Sequence, residues 1–194
     1  MDINQIIAHR LRELRSARGM TLAVLAEHSG VSRSNISLIE RGESSATATV
    51  LDKLAAALGV PVASLFERPV DATSPIARAD EQPVWTDPGS GYVRRTLSPT
   101  VPSLIQMVEI TFPAGARVAY ETSSQDIDRQ LWMIEGRMEI TVGTSRWDLA
   151  AGDCLVMRLD EPSTYHNPGD IAARYLIAQV MQAPIVPRVV VDRQ

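Results

Sequence analysis

Residues 21–42, TLAVLAEHSGVSRSNISLIERG, restrict the possible fold more than any other stretch of the chain. Two short apolar-periodic segments flank a tight turn at Ser29, Gly30 and Val31, and each segment opens on a hydroxyl residue, Thr21 or Ser32. A hydroxyl in that place can accept a hydrogen bond from an orphaned backbone N–H at a helix start. Gly30 can take the left-handed conformation that ends the first of the two helices. The spacing is that of a helix-turn-helix unit.

The flanking sequence extends this unit into a small helical domain. Ile3, Ile6, Ile7, Leu11 and Leu14 share one face of a helix over 3–18, which Gly19 terminates. The helix over 21–28 buries Leu22, Leu25 and Ala26, and the helix over 32–40 turns Ile36 and Ile39 inward. That leaves Arg33, Ser34, Asn35 and Ser37 outward, on the helix that such a unit lays in a DNA major groove. A fourth helix over 47–58 carries Leu51, Leu54, Ala55 and Leu58 inward, and Pro61 suits the first position of a short fifth that ends near Phe66. The expectation is an all-α, five-helix domain over residues 1–67.

From 68 to 83 the text changes to RPVDATSPIARADEQP, whose three prolines resist continuous helix. It reads as a linker that lets the helical domain change position. Beyond it helical periodicity disappears. Strand-like segments at 92–97, 104–112, 117–121, 129–136, 137–143, 154–159, 164–167 and 173–181 alternate with Gly, Pro and Asp turns. Many short strands with regular turns predict an all-β sandwich or barrel over 84–182, followed by a tail over 183–194. The run Val189-Val190-Val191 in that tail is suited to pairing within the barrel or with a second subunit.

Charge divides unevenly between the two halves. Residues 1–67 hold seven basic and seven acidic side chains, whereas 68–194 hold twelve and sixteen. A neutral helical domain on an acidic body must bind DNA through a few placed groups, because the local field of the docking face matters and total charge does not. No run of apolar residues is long enough for a transmembrane helix, and the N-terminus lacks the basic and apolar regions of a secretory signal, so a cytoplasmic protein without a membrane partner is expected. Cys154 is the one cysteine, excluding an internal disulfide, and its apolar setting (CLVM) predicts a small core residue. His9 and His28 have no ligand-type neighbours and read as surface residues.

RLRELR at 10–15, the stretch at 21–43 ending in IERGE, and LDKLAAALGV at 51–60 together resemble the Xre/lambda-repressor type of helix-turn-helix regulator. The resemblance implies that Arg33, Ser34 and Ser37 face base edges, with Leu38 nearby, and that Thr21, Ser32, Asn35 and Arg41 lie near phosphates. It also implies an internal ion pair between Arg15 and Glu40. Where many members carry Gln early in the second helix, this chain has Leu22 and Ala23, which offer packing in place of a polar contact. Arg33, with a planar fork able to bind guanine O6 and N7 together, is the foremost candidate for base specificity.

FPAGA at 112–116, EG at 135–136, LAAGD at 149–153 and HNPGD at 166–170 resemble, in order and spacing, the punctuation of the cupin family, a jelly-roll barrel. Regulators that join an Xre domain to a cupin form a known bacterial class. Metal-binding cupins use a His-x-His pair, a Glu and a second-motif His. Carried over residue by residue, those positions fall on Glu121, Ser123, Arg129 and Ser163. None keeps its metal ligand, and Arg129 would place a fixed cation at the metal. Neither a metal nor another cofactor is therefore expected, and no catalytic residue is assigned. A displaced site built on His166 and Glu121 is the alternative to a turn-capping role for His166.

The expected ligand is an acidic or zwitterionic metabolite anchored by Arg129, with Glu121, Ser123, Met133, Met157, Ser163 and His166 around the pocket. Strand alternation groups Arg129 with Leu131 and Met133, inside or outside according to the parity at Gly136. The whole reads as a regulator binding a double-stranded DNA operator as a homodimer, since one small unit reads too few base pairs. The alternative is a metal-dependent cupin enzyme with an attached DNA-binding domain.

Overall fold

The computed structural model describes residues 2–67, 74–101, 103–121 and 128–180. Its helical half contains α1 (Ile3–Ala17), α2 (Leu22–Ser29), α3 (Arg33–Glu40) and α4 (Ala48–Ala57). Three of the helices start on a side-chain cap: Thr21 accepts from the Val24 amide at 3.2 Å, Ser32 from Asn35 at 3.3 Å and Thr47 from Val50 at 3.4 Å. Gly30 ends α2 with φ of 68°, a left-handed conformation that costs a side-chain-bearing residue more. Leu11, Leu25, Ile36, Leu51 and Leu54 are fully buried and form the centre of this half.

The fifth helix expected at 61–66 is instead a single 3-10 turn, Val62–Phe66, giving four α-helices among the described residues. Five residues form too few backbone bonds to repay helix nucleation, and Glu67 is already extended with ψ of 131°.

The second half contains β1 (Val84–Thr86), β2 (Val93–Thr96), β3 (Ile105–Phe112), β4 (Arg117–Tyr120), β5 (Asp128–Glu135), β6 (Arg137–Val142), β7 (Ser145–Ala150), β8 (Cys154–Arg158), β9 (Ser163–His166) and β10 (Ala173–Val180). They form one six-stranded sheet, ordered β1-β2-β3-β10-β5-β8, and one four-stranded sheet, ordered β4-β9-β6-β7. The sequence reading missed the short β1 and the polar β7. All described pairings are antiparallel.

Of the two expected forms, a sandwich or a barrel, the chain takes the open one: two sheets with separate hydrogen-bond ladders in place of a closed jelly-roll barrel. Gly136 shows why: β5 ends at Glu135 in one sheet and β6 begins at Arg137 in the other, so the chain turns the corner in one residue. Gly136 has φ of 78°, and a Cβ there would lie 2.8 Å from the Ala173 Cα. A ladder cannot continue across so sharp a bend.

Strand alternation separates an inner from an outer face. Val108, Ile110, Phe112, Leu131, Met133, Leu155, Met157, Tyr175 and Ile177 of the large sheet are buried, as are Val118, Met138, Ile140 and Tyr165 of the small one. Cys154 corrects an expectation: it is exposed, because Leu155 and Met157 take the inward parity of β8.

The two halves are in contact. Phe66, last residue of the 3-10 turn, meets Trp85 of β1 edge-on with ring centroids 5.4 Å apart, and the Arg94 guanidinium carbon lies 4.2 Å from the centre of the Phe66 ring. The buried Asp87 carboxylate accepts from the Ala48 amide at 2.9 Å, adding an acidic cap to the N-terminus of α4. The sequence expectation of a freely repositioned helical domain misses this interface, which no local pattern encodes.

Candidate nucleic-acid interface and inter-sheet site

The third helix, α3, is held by one buried ion pair. Glu40, at the end of α3 with a side chain only 4% exposed, receives the Arg15 Nε at 2.6 Å and Nη2 at 2.8 Å. The third arm of that fork, Nη1, donates to the Met20 carbonyl at 2.8 Å. A bidentate guanidinium–carboxylate contact fixes orientation as well as distance, so α1 sets the rotation of α3. Glu40 raises the pKa of Arg15 above its ordinary value, chiefly through the hydrogen bond.

With Ile36 and Ile39 anchored inward, α3 exposes Arg33, Ser34 and Leu38 and leaves Asn35 and Ser37 half-buried. Thr21 and Ser32 stand exposed at the starts of α2 and α3, where backbone N–H groups also point outward. Arg33 is not held by a carboxylate among the described residues. Arg41 is: Glu43 takes its Nε and Nη2 at 2.8 Å each, and Ser37 accepts from its Nη1. Arg41 must exchange that exposed pair to reach a phosphate, at little cost in water. Ala23 is exposed and Leu22 half-buried, consistent with packing at the start of α2.

The expected ligand residues do not all converge. Arg129 has the parity of buried Leu131 and Met133, and its register partners are Gln179 on β10 and Met157 on β8, both buried. Met133, Met157 and Ser163 are buried on the inner faces. His166 and Glu121 are elsewhere. His166 has the outward parity of β9, with its Nδ1 3.8 Å from Glu139, and the Glu121 side chain is 78% exposed beside Lys53 at 3.4 Å. Ser123 lies outside the described residues.

A signal the sequence reading missed is the set of tyrosines and a second arginine. Tyr92 and Tyr120 approach hydroxyl to hydroxyl at 3.3 Å, joining the two sheets, and Tyr120 packs edge-on against Tyr165 at 5.8 Å. Arg94 of β2 is 8% exposed, and its Nη1 donates to Thr96 at 2.8 Å. Burial pushes the Tyr92 hydroxyl up to about 12 and raises Tyr120, Tyr165 and Tyr175 as well, so all four stay protonated and able to donate at neutral pH. Burial lowers Arg94 to about 10, still a cation at neutral pH.

The residues at the cupin ligand positions do not fit a metal. Glu121 is turned to solvent, Arg129 is a cation and Ser163 offers a neutral hydroxyl. His166 and Glu121, the alternative pair, have separate neighbours: His166 lies beside Glu139 and Glu121 beside Lys53. Separately, a cleft of about 370 Å³ lies between α4 and β4, lined by Thr47, Asp52, Lys53, Asp87, Arg117 and Glu121 among others.

A capped two-helix unit locked by an Arg–Glu pair defines a class: through residues 6–66 the chain belongs to the Xre-type helix-turn-helix transcription regulators, and two facing antiparallel sheets follow that unit. Residues 6–66 match the family described as Helix-turn-helix domain. The HTH-type transcriptional regulator SutR of Escherichia coli (strain K12) is 27% identical over 170 residues, which span 87% of this chain and 91% of that protein. The control protein C.SmaI of Serratia marcescens is 38% identical over 68 residues, 35% of this chain and 81% of the relative. Among solved structures, an HTH_3 family transcriptional regulator from Vibrio cholerae shares the fold with a TM-score of 0.71 and 23% identity, covering 93% of this chain and 98% of that one. DNA binding therefore belongs to this chain, and no helix among the described residues is long and apolar enough to cross a membrane.

Proposed function

We propose that this regulator reads a specific operator as a homodimer in the cytoplasm, and that its cupin domain takes a small-molecule effector without a metal and without catalysing a reaction. The observation that carries the reading is the pairing of an exposed, rigidly oriented α3 with an interior that holds cationic and hydroxyl groups in place of metal ligands. Residues 1–67 supply the DNA contacts, 68–83 the connection and 84–182 the sensor. Arg33 reads base edges with Ser34 and Ser37, while Thr21, Ser32, Asn35 and Arg41 position the helix on phosphates. In the sensor, Arg129 anchors the ligand near Met133, Met157 and Ser163.

Dimerisation is supported by the outer face of the six-stranded sheet. Ile105, Trp132, Val156 and Val180 are 57%, 48%, 65% and 52% exposed, and Val180 and Ile105 are register partners. An apolar sheet face of this kind suits a second copy. It would bring two recognition helices to a two-fold site.

The test is selection of bound fragments from random-sequence DNA, followed by retardation assays with and without the small-molecule fraction of a cell extract. One enriched two-fold sequence, with affinity that changes when the fraction is added, is expected. Arg33→Ala should lower operator affinity by roughly 10- to 100-fold and relax base preference at one position of each half-site. Equal affinity and preference in that variant would remove Arg33 from base reading, and no response to the fraction would remove the effector.

A further inference from the structure

The inner face of the six-stranded sheet is ordered by register into rows. Arg94, Ile110, Tyr175 and Met133 form one, and Thr96, Val108, Ile177, Leu131 and Leu155 the next. Gln106, Gln179, Arg129 and Met157 form a third. The two arginines thus stand at opposite corners of one face, and, after burial, the charge of Arg129 helps to lower the pKa of Arg94.

Neither guanidinium forms an ion pair with a carboxylate among the described residues. The charged and titratable groups acting on Arg94 are Tyr92, Arg129 and Tyr120, none of them a carboxylate. The Arg129 Nε is shielded from solvent and has no hydrogen-bond partner. Two buried carboxylates border the cluster. Asp87 is engaged by the Ala48, Gly89 and Ser90 amides, and, after burial, the charge of Asp52 on α4 contributes to raising the pKa of Tyr165. Ordinary buried cations are matched by an acid at hydrogen-bond distance, because removing an ion from water costs several kcal/mol without one. Here a buried Arg94 and a half-buried Arg129 adjoin an interior rich in neutral donors: the hydroxyls of Tyr92, Tyr120 and Tyr165 and the amides of Gln106 and Gln179, themselves joined at 2.9 Å.

We infer that Arg94 and Arg129 together bind a small dianionic metabolite, and that Arg94, lying over the Phe66 ring, carries its occupancy to the DNA-binding half. The inference rests on the effector reading above and names the chemical class of that effector. Two cations call for two negative charges, and a dicarboxylate or phosphorylated acid supplies them with acceptor oxygens for the surrounding hydroxyls. Because the guanidinium carbon is 4.2 Å from the Phe66 ring, any shift of Arg94 towards an anion is felt by the last turn of the helical half. The coupling is reciprocal: operator DNA must change dianion affinity by the factor that the dianion changes operator affinity.

Calorimetry on the full chain at constant ionic strength, with succinate, butyrate and succinamide as probes, tests the assignment. Succinate is expected to bind about tenfold or more tighter than butyrate, and succinamide not at all. Arg94→Gln and Arg129→Gln should each lose at least tenfold in succinate affinity, with Arg94→Lys between them and the wild type. Circular dichroism and the unfolding midpoint show whether each variant is folded. If either Gln variant is unfolded, the wild-type preference among the three probes carries the test alone. Equal binding of succinate and butyrate, or full affinity in folded Gln variants, overturns the two-arginine site. Binding of none of the three probes overturns it also, while a response to the extract fraction in the retardation assay would keep the effector reading standing.

Discussion

The two halves of the molecule treat buried charge in opposite ways. In the helical half the buried carboxylate of Glu40 meets the fork of Arg15 at 2.6 and 2.8 Å, and the remaining arm of that fork meets a carbonyl. The charge is complete within the protein and serves geometry. Between the sheets, Arg94 is as inaccessible as many core residues and Arg129 carries an unsatisfied Nε, yet no described carboxylate pairs with either. The difference teaches that a buried ion is informative by what surrounds it. A matched pair describes a scaffold, whereas an unmatched cation describes a place kept for a partner.

Three substitutions sharpen or break this comparison. Glu40→Ala removes one side of a matched pair and leaves a largely shielded guanidinium, so it should cost about 3 kcal/mol of unfolding free energy. Urea unfolding measures it, and a loss below about 0.5 kcal/mol would put this pair with ordinary surface bridges. Asp87→Ala removes the carboxylate that serves Ala48, Gly89 and Ser90 and should cost about 1–2 kcal/mol. Its more telling readout is proteolysis in the connecting segment, which should accelerate as the two halves separate. Arg94→Met should have the opposite sign, raising stability by about 1 kcal/mol when no anion is added, because an uncompensated cation gives way to an apolar chain. A loss like that of Glu40→Ala would mean that Arg94 is structural, and the contrast between the halves would fall.

The helix-turn-helix was legible because its signals are local. Thr21, Ser32 and Gly30 act on backbone groups within three or four residues, and each does in the structure what its position in the text predicts. The Arg15–Glu40 pair spans 25 residues and was reached through the family resemblance, since nothing in the intervening text singles out those two charges. Arg94 escaped notice for a different reason. It is followed by Arg95, so alternation along β2 puts an arginine on both faces and cannot say which is buried. Cys154 illustrates the same ambiguity: an apolar neighbourhood in sequence left the parity of β8 undecided, and tertiary packing chose Leu155 and Met157 for the interior.

What the chain's text determines by itself is the order of elements, the caps and glycines that bound the helices, and the division into a helical and a β-rich half. These depend on contacts within a turn or on periodicity along one segment. What tertiary structure alone decides is which faces meet. Phe66 belongs by sequence to the helical core, but it completes an aromatic contact with Trp85 and a cation–π contact with Arg94 from the other half. His166 and Glu121, both near the expected pocket in the text, turn to other surfaces. A side chain's neighbours across a domain boundary depend on how two finished surfaces fit, and no single segment carries that information.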